Sequence, residues 1–404
     1  MKRSRIRVPY AQSVHGSAEI KAVVGVLKKN TALSECTKKF ERNIADMFGK
    51  KYGIMVNSGS SANLLAFELL NLKKGSEVIT PILTFATTVA PIIQKGLVPV
   101  FVDVEPETYL LNIQQVEQAI TKKTRVLMIP SLIGNVPNLK LLKSIAKRHN
   151  LWLIEDSCDT LGATYGGKKT GTYSDISTTS FYGAHIINGA GGGGMILVDN
   201  PDWAEKLLVF RGWGRQSSIV GESKESENIQ DRFKTRIGNI PYDSKFVFSA
   251  VGYNFLPMEI SSAFALEQLK RFALFKRLRK RHFMELKNFF KQYERFFVLP
   301  LQTPKANTPW LAFPLTIKKN APFSRRYICR YLEEHNIQTR PVFTGNILKQ
   351  PAFKNIPSRK PFKRYPVADD IMRSGFLIGC HQGLADKHLR HLKGVFEEFL
   401  ETFI

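Results

Sequence analysis

Residues 151–162 read LWLIEDSCDTLG: a short apolar run, two adjacent carboxylates, then small and turn-forming residues. A run of this length bounded by turn signals predicts a buried strand, because a helix needs a longer periodic pattern. Asp156 then stands at the strand's carboxyl end, the edge where open α/β sheets bind their ligands. A carboxylate there either holds a cationic group of a ligand or caps the next turn. These residues alone leave both readings open.

Similar runs lie on either side. "KYGIMVNSGSSANLLAFELL" (51–70) passes from an apolar run through a Ser/Gly turn into a helical pattern. "SEVITPIL", "VPVFVDV" and "RVLMIP" follow, then a helical pattern over about 138–149. "SDISTTSFYG" and "GGMILVDN" add two more strands. Short apolar runs alternating with helices predict a mostly parallel sheet covered on both faces. Residues 215–245 are a long polar excursion, expected as a surface loop or a cover over a site. A basic helix near 258–294 leads into a second α/β stretch. At 404 residues the chain is too long for one ordinary core. The expected division is an N-terminal arm with a large domain, 1–257, and a connecting helix with a small C-terminal domain, 258–404.

With 43% apolar and 23% charged residues, the composition is that of a globular protein. No apolar run approaches the roughly 20 residues that span a bilayer, so no membrane is expected. The basic start, MKRSRIRVPY, lacks the apolar core of a signal peptide. Cys36, Cys158, Cys329 and Cys380 show neither metal-ligand nor disulfide spacing. A reduced, cytoplasmic protein without a metal site is expected. The net charge of +25 would suit nucleic acid. Much of it falls in LEQLKRFALFKRLRKRHFMELKNFFKQYERF (266–296), where basic residues interleave with Leu269, Phe272 and Phe275. That pattern predicts an amphipathic helix with a solvated basic face, so no nucleic-acid partner is expected.

Four features carry chemistry. In NSGSSANLL, Gly59, Ser60 and Ser61 would present N–H groups and hydroxyls at a helix's positive end, where phosphate binds well. Asp156 could hold a protonated pyridine nitrogen, the partnership a pyridoxal ring requires as an electron sink. Phe85 in TFATT follows a strand and could stack on a planar ring or fill core. In SFYGAHIINGAGGGG (180–194), Ser180 ends a strand and His185 precedes a glycine run.

With these motifs in order, the chain resembles the DegT-type sugar aminotransferases along nearly its whole length. The resemblance rests on NSGSSANLL, PILTFATTVAPI, FVDVEPET, LIEDSCDTLGA, GTYSDISTTSFY, GYNFLPMEISSAFALEQL and IQTRPVFTGN. It implies an α/β PLP-dependent transferase (aspartate aminotransferase, type I) fold, with a mostly parallel mixed sheet in a large domain and a smaller C-terminal α/β domain. It implies that Asp156 binds the pyridine nitrogen and that Gly59, Ser60 and Ser180 hold the phosphate. Asn254 of GYN would reach the phosphate in a partner subunit's site, which implies a homodimer with shared active sites. Arg215, Arg340 and Phe343 are candidate substrate contacts.

Aminotransferases of this family read Ser-Phe, three residues, then the lysine that carries the cofactor as a Schiff base. Counted from Ser180 and Phe181, that position is His185. Imidazole cannot form this bond, so ordinary transamination loses its covalent anchor and its base. SFYGAH resembles the NDP-4-keto-6-deoxyhexose 3-dehydratases, which carry histidine here. The resemblance implies pyridoxal 5'-phosphate or pyridoxamine 5'-phosphate as cofactor and His185 as the base, titrating near neutral pH. The segment after RGWGR contains no cysteine, and iron–sulfur clusters need thiolates. This favours the cluster-free route, with glutamate as amine donor and an NDP-linked 4-keto-6-deoxyhexose as substrate. The alternatives are an aminotransferase acting without the lysine and a non-catalytic nucleotide-sugar binder. Three positions depart from the dehydratase pattern: Gly191 aligns with a glutamate, Gly183 with a proline and Ile186 with a second histidine.

Overall fold

The computed structural model describes residues 6–221 and 228–404, so residues 222–227 of the expected excursion lie outside it. Seven strands form the large sheet: β1 (Tyr52–Val56), β2 (Glu77–Pro81), β3 (Val98–Val102), β4 (Thr124–Pro130), β5 (Trp152–Asp156), β6 (Ile176–Ser180) and β7 (Gly194–Val198). Their spatial order is β1-β7-β6-β5-β4-β2-β3. β7 runs antiparallel to both neighbours, and the other pairings are parallel.

Strand alternation builds a core on each side. Val78, Val126, Met128 and Ile154 pack with Ala62, Leu65 and Ala66 of helix Gly59–Leu70. Ile79, Leu127, Ile129 and Leu153 face the opposite way, against helices Ile113–Ala119 and Leu139–Arg148. The same alternation along β5 turns Asp156 toward helix Gly59–Leu70 and Glu155 away from it. Glu155 is buried on its side and bonded by Ser157 and Ser177.

A second, antiparallel sheet lies in the C-terminal part: β8 (Phe297–Val298), β9 (Phe313–Ile317), β10 (Arg340–Pro341) and β11 (Gly375–Ile378), in the order β8-β9-β11-β10. Helices Arg325–Glu334 and Asp386–Glu401 pack on it through Ile328, Leu332, Leu392 and Phe396. This core also takes in Val8, Leu83 and Tyr109 from the N-terminal part, so apolar packing joins the two sheets' regions.

Two expectations change. The basic helix is two helices, Glu259–Lys270 and Phe272–Phe290, meeting at Arg271. Its cationic face is not wholly solvated, because Arg279 is 0% exposed, its guanidinium bonded to carbonyls and Gln382. The described part of 215–245 is also more than a loop. It holds a short helix, Ile229–Arg232, and a two-stranded ladder pairing Arg236–Ile237 with Ile240–Pro241.

Candidate active site

A cavity of about 510 Å³ opens at the carboxyl ends of β4 and β5. It gathers His185, Gly59, Ser60, Phe85, Asp156 and Ser180, and from the C-terminal part Arg340 and Phe343. Arg215 and Asn254 do not line it. Arg215 stacks its guanidinium 4.2 Å from the Trp213 ring centroid and bridges to Phe248 in the 213–248 segment. Asn254 pairs with Gly212 and is exposed. The structure therefore does not bring Arg215 to the substrate space of its own chain.

Asp156 is 6% exposed and tightly held. Its Oδ2 accepts hydrogen bonds from Asn63 Nδ2 and Thr88 Oγ1, both at 2.9 Å, and its Oδ1 accepts one from the Cys158 N–H at 3.2 Å. Asn63 is itself oriented, because Thr178 Oγ1 donates to its Oδ1 at 2.6 Å. A cation or a hydrogen-bond donor of a ligand complements a carboxylate fixed in this way.

The N-terminus of helix Gly59–Leu70 faces the same space. Ser58 caps it, accepting from Ser61 N–H at 3.1 Å, and Ser60 Oγ donates to Thr87 Oγ1 at 2.9 Å. Gly59 is required by close approach: a Cβ there would stand 2.8 Å from Ser180 Cβ and 2.9 Å from Cys158 Sγ. Uncapped N–H groups and the helix dipole make this turn an anion cradle. Phe85, 54% exposed, meets Phe343 edge-on at 6.1 Å and leaves an aromatic face open to a planar ligand.

His185 lines the same cavity from the turn that follows β6, five residues after Ser180. Its Nδ1 lies 3.3 Å from the Ser180 carbonyl, so the N–H sits on Nδ1 and Nε2 keeps its lone pair. Burial lowers its pKa from 6.5 to about 4; Arg279 adds to the lowering, while the Ser180 carbonyl and Asp156 oppose it. The expectation of titration near neutral pH is thereby corrected: burial shifts the imidazole's titration well below it. Asp159 shifts the other way, from 3.8 to about 7, through burial and the charge of Asp156, with the Ile133 N–H bonded to its Oδ2. Two groups at one cavity are thus driven apart in proton affinity, a pattern suited to separate base and acid roles.

Asn63, Thr88, Asp159 and Tyr10 were missed by sequence reasoning. The first three sit inside the quoted motifs, one helical turn or one loop step from the chosen residues. Tyr10, which lines the cavity from the N-terminal arm, has no local signal that marks it.

Residues 14–396 match the DegT/DnrJ/EryC1/StrS aminotransferase family. The chain belongs to this family. Lipopolysaccharide biosynthesis protein RfbH of Salmonella typhimurium is 37% identical over 97% of this chain and 91% of that protein. The dTDP-4-dehydro-2,6-dideoxy-D-glucose 3-dehydratase of Saccharopolyspora spinosa is 36% identical over 94% of this chain and 83% of that enzyme. A GDP-perosamine synthase of Escherichia coli O157:H7 is 28% identical over 89% of each. The structure of E. coli GDP-4-keto-6-deoxy-D-mannose 3-dehydratase with bound hydrated PLP superposes with a TM-score of 0.86 at 29% identity, covering 96% of this chain and 99% of that one. A GDP-4-keto-6-deoxymannose 3-dehydratase with a trapped PLP–glutamate geminal diamine gives 0.85 at 30% identity, over 96% and 99%.

This DegT-family chain is a PLP-dependent enzyme of the aspartate aminotransferase fold. Its residues fit the cofactor: a buried, oriented carboxylate for the ring nitrogen, an open aromatic face, and a helix N-terminus too tight for any side chain at Gly59. Among the described residues no cluster of three or more His, Cys, Asp or Glu is placed to hold a metal. No helix among them is long and apolar enough to cross a membrane.

Proposed function

We propose that the chain is a glutamate-coupled, cluster-free 3-dehydratase of an NDP-4-keto-6-deoxyhexose in deoxysugar biosynthesis. The observation that carries this reading is that a neutral histidine, and no lysine among the described residues, lines the cavity. When bound, pyridoxamine phosphate supplies a primary amine for the sugar ketone and a ring that accepts the electrons released.

The chain's residues do the rest. Asp156 would hold a proton on the ring nitrogen and so sustain the ring's electron demand. Gly59, Ser60 and Ser180 would hold the phosphate, and Phe85 would stack on the ring. His185, with Nε2 free of the Ser180 carbonyl, would take the proton from the carbon that bears the cofactor's amine. Because it cannot bond covalently to the cofactor, it leaves the amine free for the sugar. Expulsion of the hydroxyl at carbon 3 needs a proton donor, and Asp159, a cavity carboxyl whose pKa burial and the charge of Asp156 raise to about 7, would be suited to it. Arg340 and Phe343 bound the sugar side of the cavity.

The reading includes a homodimer. Trp213, Phe246, Phe248, Val251 and Met258 are exposed apolar residues around the exposed Asn254. A second copy covering this face would bring Asn254 toward the phosphate of the partner's site. Sedimentation as a monomer would remove this part of the reading.

Mass spectrometry of products from GDP-, CDP-, dTDP- and UDP-linked 4-keto-6-deoxyhexoses with pyridoxamine phosphate and glutamate tests the reaction. The expected result is a 3-deoxy sugar with 2-oxoglutarate; an amino sugar would favour the aminotransferase. His185→Lys should give borohydride-trappable cofactor and lower dehydration by about 10²-fold or more, the scale of a lost general base. Retained dehydration would sink the role of His185.

A further inference from the structure

Arg279 is buried in the middle of helix Phe272–Phe290, and among the described residues no carboxylate pairs with it. Burying a cation without a counter-ion is expensive. Its bonds are specific: Nη1 donates to the carbonyls of Trp310 (3.1 Å) and Leu311 (2.9 Å), and Nε donates to Gln382 Oε1 (2.6 Å). Gln382 Nε2 then donates to the Ile186 carbonyl at 3.1 Å, one residue beyond His185. In the other direction, Leu311 N–H donates to the Ile133 carbonyl at 2.9 Å, and Ile133 N–H donates to Asp159 Oδ2 at 2.9 Å.

Hydrogen bonds and short backbone steps thus form one continuous path behind the cavity from Asp159 to the His185 turn. It is dry, with Arg279 and Ile133 at 0%, Ile186 at 1%, Gln382 at 6% and Leu311 at 7% exposure. The turn it enters is strained: Ile133 holds φ 59°, ψ 8°, a left-handed conformation unfavourable for a β-branched residue. The turn it leaves, 181–193, contains five glycines and has little stiffness of its own. Both walls of the cavity are therefore set from behind.

We propose that Arg279 is a positioning residue: through Gln382 and Leu311 it fixes where His185 and Asp159 stand relative to each other across the cavity. The proposal rests on the dehydratase reading only for what His185 does, and not for where it stands. The guanidinium also acts through space. The charged groups facing His185 are Asp156 from β5, which favours imidazolium, and Arg279, which disfavours it. Removing the cation should therefore raise the His185 pKa.

Three variants separate bonding from charge. Gln382→Met keeps the cation and cuts the link to Ile186; Arg279→Lys keeps the charge but cannot make all the bonds; Arg279→Met removes both. The readouts are kcat, KM and pH profile for dehydration, with long-range ¹H–¹⁵N spectra of the full chain labelled at histidine, His185 being assigned by its loss in His185→Asn. Gln382→Met should lower kcat by about 10²-fold, the cost of a base misplaced by about 1 Å. Its KM for the sugar and acid limb should stay in place. Arg279→Met should move both the acid limb and the His185 titration to higher pH, whereas Arg279→Lys should lower kcat without that shift. If Arg279→Met does not fold, the Lys and Gln382→Met variants decide. An unaltered kcat and unaltered His185 signals in Gln382→Met would overturn the proposal. A wild type inactive on every sugar would instead remove the dehydratase reading and leave the spectra able to judge the positioning.

Discussion

Asp156 and His185 face one cavity from supports of different kinds. Asp156 ends a buried strand and accepts three hydrogen bonds, two of them from the side chains of helices Gly59–Leu70 and Ala86–Gln94. His185 sits on a glycine-rich turn, its ring touching one backbone carbonyl at 3.3 Å. A carboxylate bonded along both oxygens is fixed in orientation, which suits holding a single ring atom. An imidazole bonded at one nitrogen keeps the other free, which suits moving a proton. The first support is built from its own strand and helices, whereas the second is a turn whose next residue, Ile186, is bonded by Gln382.

The largest effect expected from this contrast follows Asp156→Ala. Loss of a charge-assisted bond to the ring nitrogen, worth about 1.5–3 kcal/mol, should weaken cofactor binding about 10–100-fold. Absorbance titration with pyridoxal phosphate measures it, and a change below about twofold would break the idea that this wall holds the cofactor. Next is Gly191→Glu, which places a glutamate where the resemblance to the dehydratases expects one. Gly191 holds φ +107° with open space around it, so the side chain fits but the backbone is strained. A loss of about 1–3 kcal/mol in stability is expected, with no gain in activity. Thermal unfolding reports it, and an unchanged Tm would mean that the turn relaxes more easily than its conformation suggests.

The smallest effect is a pH dependence. The folded-state pKa of His185, about 4, lies below its ordinary 6.5. Between these values the unfolded chain binds a proton that the folded chain refuses, so stability falls as pH drops from 6.5 toward 4 and is flat above. In His185→Asn that part of the decline should vanish, by an amount tempered by the ring's partial exposure. Parallel Tm–pH curves for wild type and variant would show that the imidazole is not desolvated, and would make the two walls more alike.

Much of the fold could be read from local patterns. The apolar runs at 52–56, 77–81, 98–102, 124–130 and 152–156 all became strands of the large sheet. Gly59, Ser60, Phe85, Asp156, Ser180 and His185 all line one cavity, although they come from four separate motifs. The basic helix misled because periodicity cannot tell a solvated arginine from one whose charge is enclosed by carbonyls.

Residue order was enough to place a histidine where the family carries lysine, since that depends on counting from Ser180 along one short segment. Strand-end chemistry at Asp156 was equally local. The partners were not. Asn63 lies 93 residues from Asp156, Gln382 lies 196 residues from Ile186, and Arg279 lies 103 residues from Gln382. Proton affinities depend on how much water these neighbours exclude and which charges they enclose. Chain packing alone therefore decides that burial lowers the His185 pKa, that burial and Asp156 raise that of Asp159, and that Arg279 lies buried.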